Sequence, residues 1–138
     1  MARLLSSIAL LFLLAACSEA PEQSELIGVY SMQDTKNREV LTLREDGIYE
    51  NAYYEDGSLA WIDKDTWEYE RYRGRSTVAF SGFRFGIRDA TSPFGGEEWA
   101  EARQLWAVKP TRKADGTLAF CFGKESDGRC FVRAEATR

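Results

Sequence analysis

Four Asp-Gly pairs, Asp46-Gly47, Asp56-Gly57, Asp115-Gly116 and Asp127-Gly128, punctuate this chain between short runs of aromatic and β-branched residues. Asp-Gly readily takes the positive φ angles of tight hairpin turns, so a pair set between two apolar runs specifies an antiparallel hairpin. Several in succession leave a mostly antiparallel β domain as the architecture. Strands are expected at residues 26–32, 39–44, 48–54, 59–62 with 66–71, 77–81, 104–108, 117–122 and 129–134. Side chains alternate in these runs as a half-buried strand demands: Leu41 and Leu43 oppose Val40 and Thr42, and Trp67 and Tyr69 oppose Glu68 and Glu70. The Asp63-Lys64-Asp65 stretch either ends one strand or bulges a longer one, and a barrel or curved sheet of seven or eight strands is expected.

The first sixteen residues follow a different logic. Arg3 is a short positive start, residues 4–14 are an apolar core, and Ala15 and Ala16 are small, which together make an export signal. The core falls short of the about 20 apolar residues that span a bilayer. Its end, Leu14-Ala15-Ala16-Cys17, resembles the lipobox of bacterial lipoprotein signals. The resemblance implies diacylglyceryl transfer to Cys17, cleavage after Ala16 and acylation of the new amino terminus. Several acyl chains on one residue anchor stably, where a single chain binds only marginally. Ser18 stands where, in lipoproteins of the enterobacterial kind, an Asp tends to retain the protein at the inner membrane, so the resemblance leans towards the outer membrane, facing the periplasm. The expected organisation is a signal peptide over 1–16, a lipidated tether over 17–25 and a single β domain over 26–138.

Cleavage after residue 16 leaves 122 of the 138 residues, enough for one domain with a modest core. It also removes Arg3, leaving 17 positive against 22 negative residues, a net charge of −5 with no basic stripe. Nucleic acid is therefore not an expected partner. The chain has no histidine, which excludes Ser-His and Cys-His nucleophilic machinery and His-containing zinc or copper sites. No cofactor or metal is called for. With Cys17 assigned to lipid, Cys121 and Cys130 form an even pair in an exported chain and read as a disulfide. Cys121 opposite Cys130 places Phe120 opposite Phe131 and Phe122 opposite Arg129, with Asp127-Gly128 between them. The spacing is not the close Cys-X-X-Cys of a reactive pair, so the bridge is structural.

Gly28-Val29-Tyr30, Leu41-Thr42-Leu43-Arg44-Glu45-Asp46-Gly47-Ile48-Tyr49 and Thr66-Trp67-Glu68 follow an order that resembles a group of small bacterial lipocalin-like envelope domains. The resemblance covers residues 26–71 and implies a compact up-and-down antiparallel barrel or strongly curved sheet. Two positions depart from the pattern. Asp65 stands where the group has Gly before Thr-Trp, and Tyr30 stands where true lipocalins have a Trp packed under an Arg of the last strand, for which Arg133 is the candidate. Domains of this kind share a fold and not a function.

Four Trp, six Tyr and eight Phe are many for a chain this short. Tyr30, Trp67, Tyr69, Phe80, Trp106 and Phe120 either fill a narrow barrel as packed core or line a cavity for an apolar ligand. Arg71, Arg73 and Arg75, with Arg84 and Arg88, present either an anion or lipid-headgroup site or, as is expected, a solvated turn around Gly74 paired with Glu68 and Glu70. Asp63, Asp65, Glu97 and Glu98 read as surface charge, short of the ligands a calcium loop needs. Residues 83–103 break the strand rhythm with Ser92-Pro93 and Gly95-Gly96, and residues 97–103 read as one or two helical turns with Trp99 and Ala102 inward. So long a connection is often a binding loop. No motif links a serine to a lysine, and the chain is not expected to be an enzyme. The expectation is a membrane-anchored periplasmic lipoprotein that binds a small apolar or amphipathic ligand, or alternatively acts through an envelope protein as an assembly accessory or enzyme inhibitor.

Overall fold

The computed structural model describes residues 19–87, 103–122 and 129–135. Cys17 and its leader, Arg88, all but the last residue of the helical turns expected over 97–103, Glu97 and Glu98 among them, and the Asp127-Gly128 pair lie outside the described residues. Within them the chain forms one short helix, α1 (Gln23–Leu26), and nine strands. These are β1 (Gly28–Gln33), β2 (Asn37–Leu43), β3 (Ile48–Glu55), β4 (Ser58–Tyr72), β5 (Arg75–Phe83), β6 (Gln104–Val108), β7 (Pro110–Arg112), β8 (Leu118–Cys121) and β9 (Cys130–Arg133).

All pairings are antiparallel, in the order β6-β5-β4-β3-β2-β1-β9-β8-β7. The sheet is thus an up-and-down meander joined through β1 and β9. Its two outermost strands, β6 and β7, are separated by Lys109 alone. One run of chain pairs with β5 through its first half and with β8 through its second, so the two margins of the sheet meet along a continuous backbone and the sheet curls into a barrel. Pro110, which has no N–H for a ladder, sits where the run changes partner. The nine strands exceed the expected seven or eight because β7 is three residues long, too short to show alternation.

The turns explain the hairpins. Asp56 and Gly57 (φ 46° and 81°) make the two-residue loop between β3 and β4, and Arg73 and Gly74 (φ 49° and 75°) make the one between β4 and β5. Positive φ at both central residues is the geometry that matches strand twist. The undecided Asp63-Lys64-Asp65 stretch lies inside β4, a continuous strand of 15 residues. Its first half pairs with β3 and its second with β5. Leu26, expected to start a strand, instead closes α1, and Phe83, expected to open the long connection, ends β5.

Rings fill the interior. Tyr30, Tyr49, Phe80, Phe83, Phe120 and Phe131 are all fully buried. Their centroids lie 4.7 to 6.1 Å apart across Tyr30–Phe120, Tyr49–Phe80, Phe80–Phe120 and Phe83–Phe131. Each such ring contributes on the order of 2–3 kcal/mol of burial.

The registers sort the turns onto two ends. One end carries α1, the β2–β3 turn, the Arg73-Gly74 tip and the β7–β8 turn. The opposite, far end carries the β1–β2 and β3–β4 tips, the stretch after β5 and the disulfide. The first end is capped by residues 19–27, so the stretch read as a tether is fastened to the barrel from Glu19 onward. Leu26 is fully buried, and the Tyr30 hydroxyl donates to its carbonyl at 2.8 Å. Arg133, which pairs with Tyr30 in the β1–β9 ladder, lies 5.9 Å from the Tyr30 ring and donates to the carbonyls of Glu25 and of Ile27 (2.7 Å). The Tyr69 hydroxyl donates to the Pro21 carbonyl. Arg71 reaches Glu22 at 2.5 Å and Glu19 at 3.4 Å, and Arg112 reaches Glu25 at 3.0 Å. These exposed ion pairs add little beside the buried contacts.

Cys121 and Cys130 are bonded, with Phe120 opposite Phe131 and the Phe122 N–H donating to the Arg129 carbonyl at 3.1 Å. Phe120 and Phe131 point into the core, so strand alternation puts the bridge on the outer face of the sheet. Replacing both cysteines with alanine is expected to lower stability by about 2–3 kcal/mol, the chain-entropy value for so small a ring, read as a shift in urea midpoint with unchanged slope.

Candidate functional site

Strand period and register place three rows of inward side chains side by side on β2, β3 and β4. Glu39, Tyr53 and Trp61 form the row nearest the far end, then Leu41, Asn51 and Asp63, then Leu43, Tyr49 and Asp65. Glu39 and Asn51 are wholly buried and Asp63 is 4% exposed, so a polar layer sits inside an otherwise apolar barrel. Such a layer is stable only when its groups find partners.

The partners come from the chain that leaves β5. The Glu39 carboxylate accepts from Asn51 Nδ2 at 2.6 Å, from the Gly86 N–H at 3.0 Å and from the Ile87 N–H at 3.1 Å. Asn51 Nδ2 also donates to the Arg84 carbonyl at 3.0 Å. Gly86 lies against Tyr53, and a Cβ there would stand 2.2 Å from a ring carbon, so no larger residue fits without moving the ring. Next to it, the Arg84 guanidinium sits 4.0 Å above the Trp61 ring.

Arg84 also forks onto Asp63, with Nε to Oδ2 at 2.8 Å and Nη2 to Oδ1 at 3.1 Å. Arg103, at the other end of the long connection, donates to the same Oδ1 at 2.9 Å. One carboxylate therefore holds both stems of the 84–103 stretch. Two-point charge-assisted bonding of this kind fixes direction as well as distance.

Burial pushes the Glu39 carboxyl up to about 7, and that outweighs the hydrogen bonds from Asn51, Ile87 and Gly86 and the charge of Arg84, which favour the carboxylate. Burial likewise raises the Tyr30 hydroxyl to about 12. Backbone N–H donors hold Asp34 and Asp115 below the usual carboxylate range.

The six aromatics singled out in the sequence lie elsewhere, in the packed interior and at its capped end. Tyr30, Trp67, Phe80 and Phe120 are buried, while Tyr69 and Trp106 are partly buried against the core. Phe80 stacks on Trp106 at 5.0 Å, and Trp67 Nε1 donates to the Arg44 carbonyl at 3.0 Å. The arginine cluster is divided: Arg71, Arg73 and Arg75 mark the capped end, whereas Arg84 is at the far end. Asp63, read as surface charge, is instead the buried clamp. Glu39 and Asn51 were passed over, although each shares strand parity with apolar neighbours, Leu41 and Leu43 for one, Tyr49 and Tyr53 for the other.

In comparisons with protein-family models, curated proteins and solved structures, nothing matches this chain.

Two outcomes follow from the polar layer. A carboxyl raised above its unfolded value contributes stability that is full below about pH 4.5 and is lost as pH rises through about 7. Between pH 5 and pH 8 the protein is therefore expected to lose denaturant stability through Glu39, and Glu39→Gln is expected to flatten that slope; equal slopes in the two proteins would refute the assignment. Asp63→Ala is expected to cost about 3 kcal/mol in equilibrium unfolding, towards the lower end for a broken buried pair because Arg84 keeps 24% of its side chain exposed.

Proposed function

We propose that this chain is exported, acylated at Cys17 and held in the cell envelope, at the outer membrane facing the periplasm, where it works as a non-catalytic binding module for an envelope protein. The observation that carries the choice of partner is the filled interior. The side chains that would line a ligand cavity, Tyr30, Phe80, Phe120 and Trp106, are in ring contact with one another. A packed barrel offers its surface, and at the far end Asp63 holds Arg84 and Arg103, one on each side of the long connection. The Asp63 clamp sets the directions of Arg84 and Arg103, and preorganised elements lose little entropy on binding.

Glu39 supports a non-catalytic reading. Its carboxyl titrates near neutrality, as a general base would, but it is sealed from solvent and its oxygens are taken by Asn51, Gly86 and Ile87. Such a group anchors chain.

A small amphipathic ligand is the second reading, favoured by two buried polar atoms, Asn51 Oδ1 and Gln104 Nε2, that lack a hydrogen-bond partner among the described residues. Unmet atoms of this kind suit the polar group of a ligand whose apolar part meets rings.

Native mass spectrometry of the lipidated mature protein, followed by crosslinking in cells, separates the readings. The expected outcome is a mass accounted for by chain and acyl groups alone, with one envelope protein crosslinked to far-end residues. Additional mass retained by the folded protein would replace this reading with the small-ligand one.

A further inference from the structure

We infer that the Arg71-Tyr72-Arg73-Gly74-Arg75 hairpin tip is a membrane-docking surface that rests on anionic phospholipid headgroups and turns the far end of the barrel away from the bilayer. The inference rests on the proposed acylation of Cys17, and the geometry of the capped end takes it further.

Chain length is the first argument. Arg71 bonds Glu19 at 3.4 Å, so Glu19 lies beside the start of this tip. Glu19 follows Cys17 by two positions, a reach of at most about 7 Å. Acyl chains on Cys17 therefore enter the bilayer at the capped end, next to the tip. Residues 21–27 are fastened through Tyr69 and Arg133, so the described residues include no slack linker on which the barrel could swing.

The chemistry of the tip is the second argument. Tyr72 is 61% exposed, and Arg73 lies over its ring at 5.2 Å. A ring with a polar end suits the headgroup level of a membrane, and guanidinium forks suit phosphate. Arg73 and Arg75 make no ion pair among the described residues, whereas Arg71, Arg112 and Arg44 are each matched with an acid of the same end: Glu22, Glu25 and Asp46. The chain that remains after cleavage is acidic as a whole, with 17 positive against 22 negative residues. An anionic surface thus repels most of the molecule and attracts this tip, and together those forces orient it.

The test uses the lipidated mature protein in liposomes containing phosphatidylglycerol and a phospholipid with a photoreactive headgroup, with adducts mapped by peptide mass spectrometry. Adducts are expected on residues 71–75 and not on residues 56–61 of the opposite end. Arg73→Glu with Arg75→Glu, both exposed, is expected to lower tip adducts by roughly tenfold or more, from the contribution of each basic residue at an anionic surface. Liposomes of phosphatidylcholine alone are expected to lower them similarly. Adducts spread over both ends, or equal yields in phosphatidylcholine, would overturn the docking surface. Intact mass decides the premise independently: a chain without acyl groups overturns the anchor, and the docking surface falls with it.

Discussion

The N–H groups of Gly86 and Ile87 leave the β5 ladder inside an apolar barrel, where an unpaired donor costs on the order of 1–3 kcal/mol, and the carboxylate of Glu39 receives both. That meeting determines the far end. It draws the chain after β5 across the opening, lays Gly86 against Tyr53 and presents Arg84 to Asp63 and Trp61. The carboxyl in turn tolerates burial because Asn51 and the two backbone donors surround it. Desolvation still wins in part, which is why the group titrates near neutrality rather than in the usual carboxylate range.

The two ends of the barrel solve the same problem by different means. At the capped end the Tyr30 hydroxyl satisfies the carbonyl of Leu26, and the Arg133 guanidinium satisfies those of Glu25 and Ile27. At the far end side-chain carboxylates satisfy backbone donors and arginines. Between them the interior is almost wholly aromatic and aliphatic, so each end is stabilised independently. The first holds the chain emerging from the proposed anchor; the second holds the long connection.

Much of this was legible in the residues. Asp46-Gly47, Asp56-Gly57 and Asp115-Gly116 lie at strand turns because the positive φ angles they favour are local properties. The register of Cys121 with Cys130, and of Phe120 with Phe131, followed from period two and a short hairpin. The Arg133–Tyr30 contact was signalled by a resemblance on one strand and a lone Arg on another. Less local features were hidden. A three-residue β7 carries no alternation, and α1, one turn long, is too short to show a helical period. Glu39 and Asn51 stood on inward positions in plain view, but a polar residue of the correct parity reads as a fault in the pattern until its partner is known. That partner was backbone some 47 residues away, and backbone donors leave no mark in a sequence.

The β1–β9 seam has a consequence for the order in which the molecule is assembled. Tyr30 pairs with Arg133, so nearly the whole domain must exist before the ladder that closes the barrel begins to form. Contacts this distant in sequence are slow to find one another. The capped end waits on the same residue, since Arg133 supplies the donors for the carbonyls of Glu25 and Ile27. The segment made first is thus completed last. While the chain is being synthesised, residues 19–26 have only the bonds that Tyr30, Tyr69, Arg71 and Arg112 give them, and the Arg133 bonds that complete the cap form only when the final strand arrives.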